Sequence, residues 1–384
     1  MRKIAVVTGS RAEFGILRPL IKEIDDSSDL DLRLFVTGLH LLDSYGMTVK
    51  DIKRDGLKIE STVEMYSSNE RDPEYHGKGL AKGIHNFTSL LNTVNPDLLI
   101  VLGDRLEELA AILAAATLVI PIAHIHGGDK TDSGHIDESI RHSISKFAHV
   151  HFTVSQFSSE RLLKMGEEDW RVYQVGAPGL DTILNEQPIK KETLSKKLDL
   201  DLGKDTFVCI FHPVIIEQDD MGQQMSEVLD ALLEINKQTV IIYPNNDSGS
   251  DEIIEEIEKR TYVNTFRIFK NLPHLEYFSL LRYAKALVGN SSSGIIEAPS
   301  LRLPVINIGS RNVGRDHGEN VIFVDANRDE IKKAIKKVLN DIKFKRKVAN
   351  CSSPYGDGNA SKRIVKVLRE IEINGTLLRK QITY

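Results

Sequence analysis

The chain predicts a two-domain α/β protein, each domain a parallel sheet with helices on both faces. Three observations carry that prediction. At 384 residues the chain is too long for one ordinary core. Short apolar strands alternate with longer amphipathic segments from end to end, the pattern of repeated βαβ units. Several strands are apolar on both faces, as expected where helices cover each side of a parallel sheet.

In the first half the expected strands are Ile4–Thr8, Leu32–Thr37, Leu57–Val63, Leu98–Leu102, Ile120–Ile125, Val150–Val154 and Val172–Val175. Helical periodicity fills Gly15–Asp25, Gly77–Val94, Arg105–Leu118 and Ile136–Phe147. The pattern pauses over Asp181–Asp205, rich in lysine and without a strand signal, so Leu184–Gly203 reads as an inter-domain connection plus a helix. It resumes with Phe207–Phe211, Val240–Tyr243, Phe266–Phe269, Leu287–Val288, Val305–Ile308 and Val321–Val324. The expected domains are 1–184 and 185–360, both Rossmann-like, with 361–384 a helix and tail packing back on the first.

Composition narrows the function. Hydrophobic residues at 41% and charged residues at 27% fit a soluble globular chain. A net charge of −5 provides no basic field for nucleic acid. Two cysteines, Cys209 and Cys351, make neither a disulfide framework nor a zinc site; Cys209 lies in an apolar strand and reads as core. No run approaches the ~18 apolar residues of a membrane span, and the opening strand is too short for a signal peptide. A cytoplasmic location and no membrane partner are expected.

In open α/β sheets, ligands bind beyond the carboxyl ends of the strands. Polar residues collect there in both halves: Ser10-Arg11, Asp104-Arg105, His126 to Asp129, His212-Pro213, Asn245 to Asp247, Asn290 to Ser292 and Gly309 to Arg311. The most informative stretch is Gly289-Asn290-Ser291-Ser292-Ser293-Gly294-Ile295-Ile296-Glu297. A strand feeding a hydroxyl-rich turn that opens a helix aims backbone N–H groups at one spot, which suits a diphosphate. Taken alone, it also reads as an ordinary capped turn. Arg11, Arg105, His212, Arg311 and Arg315 add positive charge, which argues for an anionic ligand. Asp104, Asp129, Asp137 and Glu138 are carboxylates able to handle protons, although Asp137 also suits a helix N-terminus. The first strand lacks the G-x-G-x-x-G fingerprint and no Walker A sequence occurs, so no cofactor is expected. His124, His126 and His135 are close in sequence, but the first two alternate along a strand and no Cys follows; no metal is expected.

These motifs resemble a family. Thr8-Gly9-Ser10-Arg11-Ala12-Glu13, Gly103-Asp104-Arg105, Gly134 to His142, His212-Pro213-Val214, Tyr243 to Asp247, Gly289 to Glu297 and Gly309 to Arg315 occur in the order seen in hydrolysing UDP-N-acetylglucosamine 2-epimerases. The resemblance runs from Lys3 to about Val365. It implies a glycosyltransferase-B-like fold, the two doubly wound domains facing across a cleft. It also implies a reaction that eliminates UDP to 2-acetamidoglucal and then adds water, releasing N-acetylmannosamine, the precursor for sialic acid.

By the same resemblance Asp104 and Asp137 are the acid/base carboxylates, and His212 assists the leaving phosphate. Ser291 and Ser292 bind the diphosphate and Glu297 the ribose. Arg11, Arg105 and Arg311 supply charge or hold loops, and Asn245 contacts ligand. The chain departs from the family at His126, where a Glu is usual; His126 or Asp129 would then carry that proton. The partner implied is a UDP-sugar, with UDP-N-acetylglucosamine as first reading and UDP- or GDP-N,N′-diacetylbacillosamine as a close alternative. A glycosyltransferase or a non-catalytic binder of the same fold are the readings from other classes. The resemblance also implies a homodimer or homotetramer.

Overall fold

The computed structural model describes residues 1–66, 74–130, 136–214, 217, 220–245 and 248–384. Two compact units emerge. Among the described residues, unit 1 gathers those of 1–130, 136–182 and 355–384, and unit 2 those of 183–354.

Unit 1 is built on a seven-stranded parallel sheet. Its strands are β1 (Arg2–Thr8), β2 (Leu30–Thr37), β3 (Ile59–Val63), β4 (Leu98–Leu102), β5 (Ile122–Ile125), β6 (Val150–Thr153) and β7 (Val172–Gln174). Their order, β3-β2-β1-β4-β5-β6-β7, reverses direction between β1 and β4. All five residues of β4 are buried, which explains why the run reads as continuously apolar. Strand β1 begins at Arg2, two residues before its apolar run, because Arg2 and Lys3 pair with Leu30 and Asp31. β3 begins two residues later than its apolar pattern suggests.

The helix Arg11–Asp25 starts four residues ahead of its periodicity. Ser10 caps it by accepting from the Glu13 N–H at 3.4 Å. Its apolar face, with Leu17, Leu20, Ile21 and Ile24, shares one core with Ile364, Val365 and Leu368 of the helix Ala360–Glu370. The Asp181 carboxylate caps that later helix, accepting from the N–H groups of Ala360 at 2.9 Å and Ser361 at 2.6 Å.

Unit 2 carries six parallel strands: β8 (Thr206–Ile210), β9 (Gln238–Ile242), β10 (Phe266–Phe269), β11 (Ala286–Gly289), β12 (Val305–Ile308) and β13 (Val321–Val324). The order β10-β9-β8-β11-β12-β13 repeats the doubly wound plan, reversing between β8 and β11. Cys209 is fully buried in β8 and its thiol is pushed up to about 12 by burial. The segment read as a connection holds the helix Lys191–Leu198, which buries Leu194 and Leu198. No helix among the described residues is long and apolar enough to cross a membrane.

Candidate active site

The reversal points of both sheets are where doubly wound folds bind ligands, because the crossovers leave in opposite directions and open a crevice. In unit 1 the loops after β1 and β4 hold Ser10-Arg11 and Asp104-Arg105. Arg141, on the helix Asp137–Phe147, organises the acidic groups around Asp104. Its side chain is 5% exposed and forms ion pairs with Asp104 and Glu138, and its Nη1 donates to the Asp129 carbonyl at 3.2 Å. Glu138 also lies 3.3 Å from His142 Nε2. Asp137 is half-buried in the first turn of the same helix. Of these two neighbouring acids, Glu138 is the one that Arg141 gathers with Asp104.

His126 follows β5 and is buried, with φ of 66°, a left-handed backbone uncommon outside glycine. Its Nδ1 lies 2.9 Å from Asp129 Oδ2. A carboxylate only accepts, so with Asp129 ionised Nδ1 carries a proton, and in the neutral ring Nε2 then presents a lone pair. Nε2 is buried with no hydrogen-bond partner among the described residues. Asp129 is held from behind by Ser158 Oγ, which donates to Oδ1 at 2.6 Å. Histidine, carboxylate and hydroxyl therefore form a relay in which Asp129 orients His126. His124 serves a different purpose. It is fully buried, its Nε2 donates to the Gly103 carbonyl at 2.7 Å, and burial lowers it to about 3, so it props the turn before Asp104 as a neutral ring. Among the described residues no group of three or more His, Cys, Asp or Glu is arranged to hold a metal ion; His135 lies outside the described residues.

Arg11 is exposed at the head of its helix, and Arg105 is half-buried. Arg105 Nε lies 3.3 Å from Glu107 Oε2. Burial opposes the Arg105 charge, but Glu107, Glu108 and Glu13 outweigh it and raise its pKa. Glu13 Oε2 accepts the Gly9 N–H at 2.8 Å, and burial pushes Glu13 up to about 7.

In unit 2 the loop after β8 holds His212 and the loop after β11 holds Asn290 to Ser292. Asn290 joins them: its Oδ1 accepts the His212 N–H at 2.6 Å and its Nδ2 donates to the His212 carbonyl at 2.8 Å. Gly289 allows this approach, because a Cβ there would sit 1.9 Å from the Ile210 carbonyl oxygen at φ of 128°. His212 Nδ1 accepts the Asn245 N–H at 3.1 Å. Burial lowers the ring to about 3, with Arg311 adding to the effect. The ring is thus neutral with its proton on Nε2, a hydrogen-bond donor without charge. Arg311 Nη1 and Asn312 Nδ2 both donate to the Asn290 carbonyl, at 3.3 and 2.9 Å.

Ser291 and Ser292 are half-buried ahead of the short helix Ser293–Ile296, whereas Ser293 is buried and accepts from Tyr277 at 2.8 Å. Glu297 is half-buried at the end of that helix. Asn245 is half-buried beside His212, and its neighbours Asn246 and Asp247 lie outside the described residues.

The structure thus groups Asp104 with Glu138, and His126 with Asp129, in unit 1. In unit 2 it groups His212, Asn245, Ser291, Ser292 and Arg311. Arg141, Ser158, Glu107 and Glu108 are additional. Arg141 lies in a quoted motif, but its pairing with Asp104 joins residues 37 apart, and Ser158 reaches Asp129 from 29 residues away. Glu13 lies in a quoted motif, but only the fold brings it to the glutamates of another helix.

Comparison with known proteins identifies the family. The profile of the family described as UDP-N-acetylglucosamine 2-epimerase matches residues 22–369. The UDP-N,N′-diacetylbacillosamine 2-epimerase (hydrolyzing) of Legionella pneumophila is 38% identical over 384 residues, covering 100% of both chains. The GDP/UDP-N,N′-diacetylbacillosamine 2-epimerase (hydrolyzing) of Campylobacter jejuni is 33% identical, covering 99% of this chain and 98% of its own. Among solved structures, UDP-GlcNAc 2-epimerase from Neisseria meningitidis bound to UDP-GlcNAc superposes with a TM-score of 0.80 at 22% identity, covering 96% of this chain and 100% of that one. That likeness establishes a shared two-domain, glycosyltransferase-B-like α/β fold. The chain belongs to the UDP-N-acetylglucosamine 2-epimerase family, among its hydrolysing members.

Proposed function

We propose that the protein is a hydrolysing 2-epimerase of a nucleoside-diphosphate N,N′-diacetylbacillosamine. A base takes the proton from sugar C2 while the C1–O bond to the nucleotide breaks, leaving the nucleoside diphosphate and a 2-acetamidoglycal. Water then adds, its hydroxyl to C1 and a proton to C2 on the opposite face, so that one nucleotide sugar and one water become the free 2-epimer and the nucleoside diphosphate.

The observation that carries the reading is the acid/base set in unit 1. His126 Nε2 presents a lone pair with Asp129 Oδ2 2.9 Å behind the ring, and Arg141 pairs with Asp104 and Glu138 beside it in the chain's fold. Two proton transfers on opposite faces need two groups with different proton affinities. We assign one to His126 and the other to the Asp104 cluster, in which Asp137 lies one residue from Glu138. Asp129 then acts by orienting His126 and not by binding sugar. In unit 2, Ser291, Ser292 and Arg311 are assigned to the diphosphate, neutral His212 to a hydrogen bond on the departing phosphate, Glu297 to the ribose, and Asn245 to the ligand beside His212. Preorganised donors of this kind stabilise a leaving anion without needing to move.

The substrate order differs from the one the residues first suggested. Two relatives that match this chain over 99% or more of its length, at 38% and 33% identity, are diacetylbacillosamine enzymes, which favours that sugar. UDP-N-acetylglucosamine stands second, favoured by the family description matched over residues 22–369.

The test is incubation in deuterated water with UDP- and GDP-diacetylbacillosamine and UDP-N-acetylglucosamine, followed by NMR of released sugars. The free 2-epimer of diacetylbacillosamine, deuterated at C2, is expected. Faster release of N-acetylmannosamine would make the second reading correct, and sugar passed to an acceptor with C2 unchanged would defeat both.

A further inference from the structure

Beneath the loops after β1 and β2, three glutamates from two helices share one buried space. Glu13 comes from the helix Arg11–Asp25, and Glu107 and Glu108 from the first turn of the helix Leu106–Thr117. All three are buried, at 4%, 1% and 0% exposure. Glu107 packs directly against Gly9 and Gly38, where an added Cβ would meet its atoms at 2.9 and 2.6 Å.

Hydrogen-bond donors among the described residues are too few for three carboxylates. Glu13 Oε1, Glu107 Oε1 and both oxygens of Glu108 are buried with no partner among the described residues. The Gly9 N–H serves Glu13, and Arg105 lies beside Glu107. Tyr66 also faces Glu107, and its hydroxyl stays protonated because burial raises its pKa. His40 is hydrogen-bonded to Thr8 and Thr48, and burial lowers it to about 4, so it brings no charge. One guanidinium cannot balance three carboxylates in a space closed to water. A proton on one member of the Glu13–Glu108 pair removes a charge and provides a donor to the other member, satisfying two oxygens at once. Burial raises both groups, as such sharing requires.

We propose that Glu13 and Glu108 hold one proton between them, and that this neutralisation leaves Glu107 ionised to position Arg105 for an anionic substrate. The pair is a positioning device and does not touch the substrate. The role given to Arg105 rests on the function proposed above, whereas the shared proton does not.

The test uses the full chain between pH ~6.5 and ~9, where ordinary glutamates have already lost their protons and ordinary histidines are at or past their midpoint. A carboxyl raised in the folded state contributes stability that is complete below its ordinary pKa and is lost as pH rises through the folded value. The unfolding midpoint of the native protein should therefore fall across this window. Glu108→Gln supplies a permanent donor to Glu13, so its midpoint should fall much less. Glu107→Gln should raise KM about tenfold or more, the size of one lost charged contact, with kcat within about threefold. A Glu108→Gln midpoint that falls as steeply as the native one overturns the shared proton. An unchanged KM in Glu107→Gln overturns the positioning of Arg105. If the native protein turns over no nucleotide sugar, the proposed function fails, and nucleoside diphosphate affinity of Glu107→Gln replaces KM with the same two outcomes.

Discussion

His126 combines three properties that seldom coincide in a merely structural residue: a left-handed backbone, a carboxylate on one ring nitrogen and a second nitrogen with no partner among the described residues. Asp129→Asn keeps the ring in place but permits the other tautomer, which would turn Nε2 from acceptor to donor. We expect kcat to drop by about 10²–10⁴-fold, the range seen when a histidine relay loses its orienting acid, while UDP affinity by calorimetry stays unchanged. Arg141 leads to a second prediction. A lysine is a point charge and cannot reach Asp104, Glu138 and the Asp129 carbonyl together. Arg141→Lys should lower kcat/KM by about 100-fold or more, equivalent to ~2.7 kcal/mol of barrier; activity within a few-fold of native would remove Arg141 from the site. The role of Arg141 was not visible from residue type, because an arginine on a helix reads as solvated until the fold encloses it.

At the scale of elements, the strands were legible because parallel strands buried on both faces leave long apolar runs, as β4 and β8 do. Helix starts were less legible. The helix Arg11–Asp25 begins at a polar cap, where apolar periodicity has not yet started. The short helix Val49–Arg54 buries only Val49 and Ile52, too few residues to display a period. The turn after β11 depends on one residue without a side chain. Gly289→Ala would force a Cβ against the Ile210 carbonyl and hold alanine at φ of 128°. We expect a loss of at least ~1–3 kcal/mol of stability, in line with strained backbone positions, together with weakened nucleoside diphosphate binding. An unchanged unfolding midpoint with native UDP affinity would show that the turn tolerates the side chain.

Across the whole molecule, the tail is secured by a buried arginine. Arg171 is wholly buried, donating to the carbonyls of Leu377 at 2.7 Å and of Thr376 and Arg379 at 3.2 Å, and pairing with Glu168 at 2.6 Å. Arg171→Met should cost about 3–5 kcal/mol, the range for breaking a buried pair, and should expose residues 371–384 to protease. Resistance equal to the native chain would mean the tail is held elsewhere. Acid response is a second property of the whole. Burial lowers His40 and His149 to about 4, and His124 and His212 to about 3. A lowered histidine is neutral in the fold yet protonated in the unfolded chain below about 6.5, so acid favours unfolding. The four outnumber the raised pair Glu13 and Glu108, which act in the opposite sense. The unfolding midpoint should fall as pH drops from about 6.5 towards 4, and a flat profile would show these rings to be solvated.

The sequence by itself determined the two doubly wound sheets, the strand ends that carry the polar groups, and the family. Those features depend on local periodicity and on short motifs read in order. Only the tertiary structure decided which acids share Arg141, which carboxylate orients His126, and that three glutamates from two helices have, among the described residues, one guanidinium beside them. The reason is physical. A side chain's charge and tautomer are set by what burial places next to it, and those neighbours come from segments far apart along the chain.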